Sequence, residues 1–167
     1  NNEIDAPTMD VAPLITTNWD QGQWYNYYCP TAAGGPGGKA WAGCVATTMG
    51  QVMKYYNFPE KGVLSHSYNH PTYGNQSANF GTTLYNFSGM GSSATSGSYT
   101  EIATLLRHAG VAVDMNYAPD GSGAFSTDVP WAMATYFNYD QATIKYSPKS
   151  DYTNTTWVAF LKSELDA

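Results

Sequence analysis

Residues 40–59, AWAGCVATTMGQVMKYYNFP, constrain the fold more tightly than any other stretch. Apolar side chains at Val45, Met49, Val52, Met53 and Tyr56 follow i, i+4, i+7, i+8 and i+11, which predicts one helical face. The run Asn57-Phe58-Pro59 closes that helix, and Cys44, arriving after the glycine-rich approach AAGGPGGKAWAG, falls in its first turn. A thiol at that junction has two readings. Unpaired cysteines are usually buried and inert. A thiol at a helix N-terminus, in contrast, meets the positive end of the helix dipole, which stabilises the thiolate that does nucleophilic chemistry. Gly43 removes a side chain where a substrate backbone would have to approach. The N–H groups of Cys44 and Val45 are free at a helix start and able to face an oxyanion.

The rest of the chain reads as helices with intervening extended pieces, an α+β pattern in one domain. The first 40 residues are irregular and aromatic. Residues 60–98 are rich in Gly, Ser and Asn and read as loops with brief strands or turns. SYTEIATLLRHAGVAVDMNY predicts a helix with Glu101 near its start, closed by Gly110 and followed by a β-like run over 111–117. After a glycine-containing loop at 118–124, Thr127 or Asp128 opens another helix with Pro130 in its first turn. A last helix spans about 153–166 and carries Trp157, Phe160, Leu161 and Leu165 on one side.

Composition removes several function classes. Lys and Arg number seven, scattered singly, against 13 Asp plus Glu, so there is no basic footprint for nucleic acid. No stretch approaches the apolar length of a membrane span, about 18 residues. The start, NNEIDAPTMDVAPL, lacks the basic and apolar regions of a signal segment, which is therefore either removed or was never present. Low charge together with abundant Tyr, Trp, Gly, Ser and Asn resembles secreted bacterial proteins. Such a composition also suits an extracellular module that binds carbohydrate or protein through its aromatic rings, with Cys29 and Cys44 joined in a structural disulfide.

Three blocks in register resemble the streptopain family of bacterial papain-like cysteine peptidases. GCVATTMGQVMKYYNFP is similar to the family's nucleophile helix, DQGQWYN at 20–26 to its Gln-Gly segment, and AGVAVDMNYAPDGSGAFS to its Val-Asp-Met-x-Tyr-x-Pro block with the loop that follows. The resemblance implies a two-lobe papain-like fold of which this chain covers mainly the helical lobe. It further implies an endopeptidase made as a secreted or surface-associated zymogen and acting as a virulence factor, without cofactor or metal. Cys44 becomes the nucleophile that forms a thioester, and Gln21 the side-chain donor to the oxyanion beside the N–H of Cys44, with Val45 as a further backbone donor. Gly43, Gly121, Ser122 and Gly123 fall where the family's cleft meets an extended peptide. An amidase or a transferase would keep the same nucleophile.

One part of the pattern is missing. Papain-like enzymes place their histidine about 130–150 residues after the cysteine, which from Cys44 lies beyond Ala167. His66 and His70 read as surface residues at a loop tip, without the company a metal site needs. His108 reads as a charge or hydrogen-bond partner for the C-terminal carbonyls of its own helix. Residues 1–167 are therefore expected to be an incomplete catalytic domain whose histidine arrives on a following segment or second chain. A propeptide or inhibitor protein and protein or peptide substrates are the further partners that this reading implies.

Overall fold

A computed structural model describes residues 12–165, which fall into two units, one of residues 15–146 and one of residues 12–14 with 147–165. In the larger unit, helix α1 (Cys44–Tyr56) packs on helix α2 (Thr100–Ala112). Small residues set the distance between them: a Cβ on Gly50 would lie 2.5 Å from Leu106 Cδ2 and 3.2 Å from the Trp19 ring. The buried stripe of α1 is accordingly turned toward Ala46 and Gly50, together with Val45, Thr47, Met49 and Met53. Val52 is half-buried and Tyr56 is 63% exposed, so the face expected from apolar spacing is rotated. The flank carrying Cys44, Thr48 and Val52, at i, i+4 and i+8, is exposed at Cys44 and Thr48 and meets only the edge of the core at Val52.

Both helices stop on a left-handed residue with paired backbone bonds. Asn57 (φ 48°) ends α1, with Phe58 N–H donating to Met53 O (3.1 Å) and Asn57 N–H to Lys54 O (3.3 Å). Asp114 (φ 49°) ends α2, with Met115 N–H donating to Gly110 O (3.0 Å) and Asp114 N–H to Val111 O (3.2 Å). The helix therefore runs through Gly110, where the sequence predicts a stop. Glycine is required there for packing, because a Cβ would run into the Tyr117 hydroxyl. Residues 111–117 are the last turn of α2 and a tight reversal, and the expected β-like run is replaced by a single bridge between Asn116 and Gly123.

The polar 60–98 region contains a hairpin, β1 (Ser65–His70) antiparallel to β2 (Gly74–Asn79), in register from Ser65 opposite Asn79 to His70 opposite Gly74. His66 and His70 thus stand on a strand and not at a loop tip. His70 is 4% exposed. Its Nδ1 accepts from Thr72 N–H (3.1 Å) and Tyr73 N–H (3.2 Å), closing the turn, while its Nε2 lies 3.0 Å from Asn116 Oδ1. Only a neutral ring with its proton on Nε2 satisfies all three.

Helix α3 (Val129–Phe137) has Pro130 in its first turn and buries Ala132, Met133, Tyr136 and Phe137. In the smaller unit, α4 (Asn154–Leu165) is capped by Thr153, whose Oγ1 accepts from Thr156 N–H (3.2 Å). Tyr152, Trp157 and Phe160 gather there as three rings with centroids 5.1–5.6 Å apart.

Candidate active site

Cys44 is the first residue of α1, exposed and free. The residue before it explains the junction. Gly43 has φ 92° and ψ 139°, a conformation that side chains rarely adopt, and a Cβ would meet the Met115 sulfur and methyl at 2.6 Å. Gly43 is itself buried, and the space its missing side chain leaves is filled by Met115 from within.

Two segments flank the thiol. Gln21 folds back along the approach to α1, its carbonyl accepting from Ala42 N–H at 2.9 Å. The buried Asn26 fixes that segment, its Nδ2 donating to Pro36 O (2.9 Å) and Ala40 O (3.0 Å). On the other side, the 118–123 loop is tied to the same approach: Trp41 N–H donates to Ala118 O (3.2 Å) and the Trp41 indole to Pro119 O (2.9 Å). Ser122 O lies 3.4 Å from where a Cβ of Gly43 would sit.

That loop is bonded internally more than its glycines suggest. Ser122 is buried, with its Oγ accepting from Ala118 N–H (3.0 Å), and Gly123 exchanges both backbone bonds with Asn116, at 2.8 and 3.2 Å. The backbone groups of Gly123 are already engaged within the loop. Asn26 and Trp41 join the site through the fold. The signal for Asn26 was present in WYN, where a buried amide follows two aromatic residues, whereas nothing local marks Trp41.

A groove of about 290 Å³ opens beside Cys44. Its walls are Val45, Thr48, Met49 and Val52 of α1, Val129, Pro130 and Met133 of α3, and the 144–146 segment. The Thr48 hydroxyl donates back to Cys44 O (2.9 Å), which leaves the lining predominantly apolar.

Lys145 and Tyr146 share the groove with Cys44, whereas Cys29 and the three histidines are engaged elsewhere. Cys29 is buried, and desolvation pushes its thiol up to about 12 in spite of the opposing charges of Arg107 and Lys39. Both cysteines are free, which corrects the disulfide reading. His66 Nε2 pairs with Asp114 Oδ1 at 2.7 Å. His108 Nδ1 lies 3.0 Å from the Tyr85 hydroxyl, and burial, with the Arg107 charge adding, lowers its pKa to about 4. It is therefore neutral at neutral pH, so of the expected roles at its helix end, charge or hydrogen bonding, the charge is absent, and its Nδ1 is engaged by Tyr85. None of the hydrogen bonds of the three histidines reaches Cys44. Among the described residues no group of His, Cys, Asp and Glu is arranged to hold a metal ion.

Residues 19–167 match the peptidase C10 family. The chain belongs to that family. Among C10 relatives, the thiol protease/hemagglutinin PrtT of Porphyromonas gingivalis is 33% identical over 178 residues, covering 95% of this chain and 20% of PrtT. Streptopain of Streptococcus pyogenes is 31% identical over 171 residues, covering 89% of this chain and 42% of streptopain. The solved structure of the active interpain A cysteine protease of Prevotella intermedia superposes with a TM-score of 0.79 at 34% identity, over 90% of this chain and 63% of that one. A fragment of prointerpain A gives 0.81 at 34% identity, over 92% and 51%. The fold is thus the α+β, papain-like fold of C10 cysteine peptidases, and the chain spans less than half the length of the curated relatives it matches.

Proposed function

We propose that Cys44 is the nucleophile of a secreted C10 endopeptidase. The observation that carries this is a free, exposed thiol on the first residue of α1, with the Gln21 segment bonded to the chain two residues before it. The thiolate sulfur attacks the scissile carbonyl carbon, and its electron pair passes to the carbonyl oxygen. The N–H of Cys44 and the Gln21 amide, with Val45 N–H beside them, donate to that oxyanion. Collapse breaks the C–N bond, the amine leaves with a proton from a histidine, and the acyl group stays on sulfur as a thioester. Water, giving its proton to the same histidine, then attacks the thioester, releasing the acid and restoring the thiol.

All three histidines of the chain are held in other bonds, so the reading assigns the proton partner to a histidine outside these 167 residues, on a following segment or second chain. The apolar groove beside Cys44 receives an apolar side chain near the cleaved bond. Secretion, a zymogen stage and a propeptide partner follow the same reading; no helix among the described residues is long and apolar enough to cross a membrane. The test is intact-mass analysis of an active preparation under denaturing conditions, followed by C44A. If the species of residues 1–167 alone cleaves casein, with His66, His70 or His108 essential, these roles are wrong.

A further inference from the structure

Both flanks of Cys44 converge on one side chain that has no role in the chemistry above. Trp41, three residues before the thiol, presents its ring to Gly22, where a Cβ would lie 3.3 Å from Cζ3. Gly22 is buried and directly follows Gln21, so the ring fixes the turn that carries the oxyanion donor. The opposite edge of the same indole donates to Pro119 O at 2.9 Å, and Trp41 N–H donates to Ala118 O at 3.2 Å. Ala118 is in turn bonded through its own N–H to Ser122 Oγ, so the loop is held at its start and across its middle. Gln21 is also anchored independently through Ala42 N–H, which leaves the ring to set the tilt of the turn and not its presence.

We propose that Trp41 is a positioning residue that holds the Gln21–Gly22 turn and the 118–123 loop in register on either side of Cys44. The inference rests on the assignment of Cys44 and Gln21 given above. Its two contacts are separable by substitution, because Phe keeps a ring over Gly22 and lacks the donor to Pro119, whereas Ala loses both.

In the intact active enzyme, Trp41→Phe is expected to raise KM for extended peptides about 3- to 10-fold, the worth of one hydrogen bond, with kcat within about twofold. Trp41→Ala is expected to lower kcat as well, by about 10²-fold, through displacement of the donor turn. Coupling gives the decisive readout: Gln21→Ala on the Trp41→Ala background should cost much less than on the native protein, since the donor it removes is already misplaced. A purely structural role would leave the two losses multiplicative. If Trp41→Ala fails to fold, Gly22→Ala replaces it, with its new methyl driven against the ring. Wild-type KM in Trp41→Phe, or full multiplication in the double variant, overturns the proposal. Cys44→Ala separates the two levels: if it stays active, the assignment of the site falls and Trp41's role with it, whereas a dead Cys44→Ala beside indifferent Trp41 variants sinks Trp41's role alone.

Discussion

Cys29 and Cys44 lie 15 positions apart in one chain and have opposite surroundings. Cys29, in YYCP, is 3% exposed, and the cost of desolvating its thiolate outweighs two nearby cations. Cys44 lies at the open flank of α1, ahead of any side chain that could cover it, and its helix presents N–H groups with no acceptor of their own. The chemistry of a thiol in this chain is therefore decided by the element it starts or ends, and not by the polarity of its neighbours in sequence.

The largest effect that would test this contrast is on turnover. Cys44→Ala should lower peptide hydrolysis by at least about 10⁴-fold, while Cys29→Ala should leave kcat/KM within about twofold. Comparable losses in the two variants would erase the distinction. Next comes Gln21→Ala, expected to slow acylation by about 10²- to 10³-fold if its amide is one of the oxyanion donors; pre-steady-state release of the first product measures it, and an unchanged acylation rate removes Gln21 from the mechanism. Labelling sharpens the comparison directly. Iodoacetamide at pH 7 should modify Cys44 about 10²-fold faster than Cys29, read by peptide mapping, because Cys29 reacts only through opening of the core. Equal labelling, or a peptide linking the two sulfurs, would contradict it.

The smallest effect comes from the buried side. Desolvation that raises the Cys29 thiol lowers His108 to about 4, below the usual His value of 6.5. Between those two values the unfolded chain binds the extra proton, so stability is full above pH 6.5 and is lost as pH falls toward 4. The loss is on the order of 3 kcal/mol. Denaturant melts at pH 7 and pH 4.5 measure it, and His108→Gln should flatten that part of the profile; an unaltered slope would show that His108 titrates normally.

Much of the site's placement was legible from residues whose spacing carries information. The Gly43-Cys44 junction, the α1 stop at Asn57, the opening of α3 around Asp128 and Pro130 and the N-cap of α4 at Thr153 each follow from a local rule about backbone geometry. What escaped were decisions made by partners distant in sequence. Gly110 reads as a helix stop until Tyr117 is packed against it, and Gly50 and Ala46 read as neutral until Leu106 approaches, which turns the buried stripe of α1 away from Tyr56. The hairpin at 65–79 was hidden because its residues are small and polar, so no alternation of apolar side chains announces two strands. His70 was missed for a related reason, since its burial depends on Asn116 and on the backbone of its own turn.

The rotated stripe on α1 also bears on how such an enzyme diversifies. One flank of the helix is governed by volume, where Ala46 and Gly50 admit almost no change, and the other borders the groove, with Thr48 exposed and Val52 packed only at the core's edge. Inherited variation can therefore accumulate on the second flank while the start of α1 at Cys44 stays fixed by the first. A combinatorial library at the exposed Thr48, with apolar residues kept at Val52 and Val129 where they pack against the core, would sample new groove shapes on a scaffold whose folding it largely preserves.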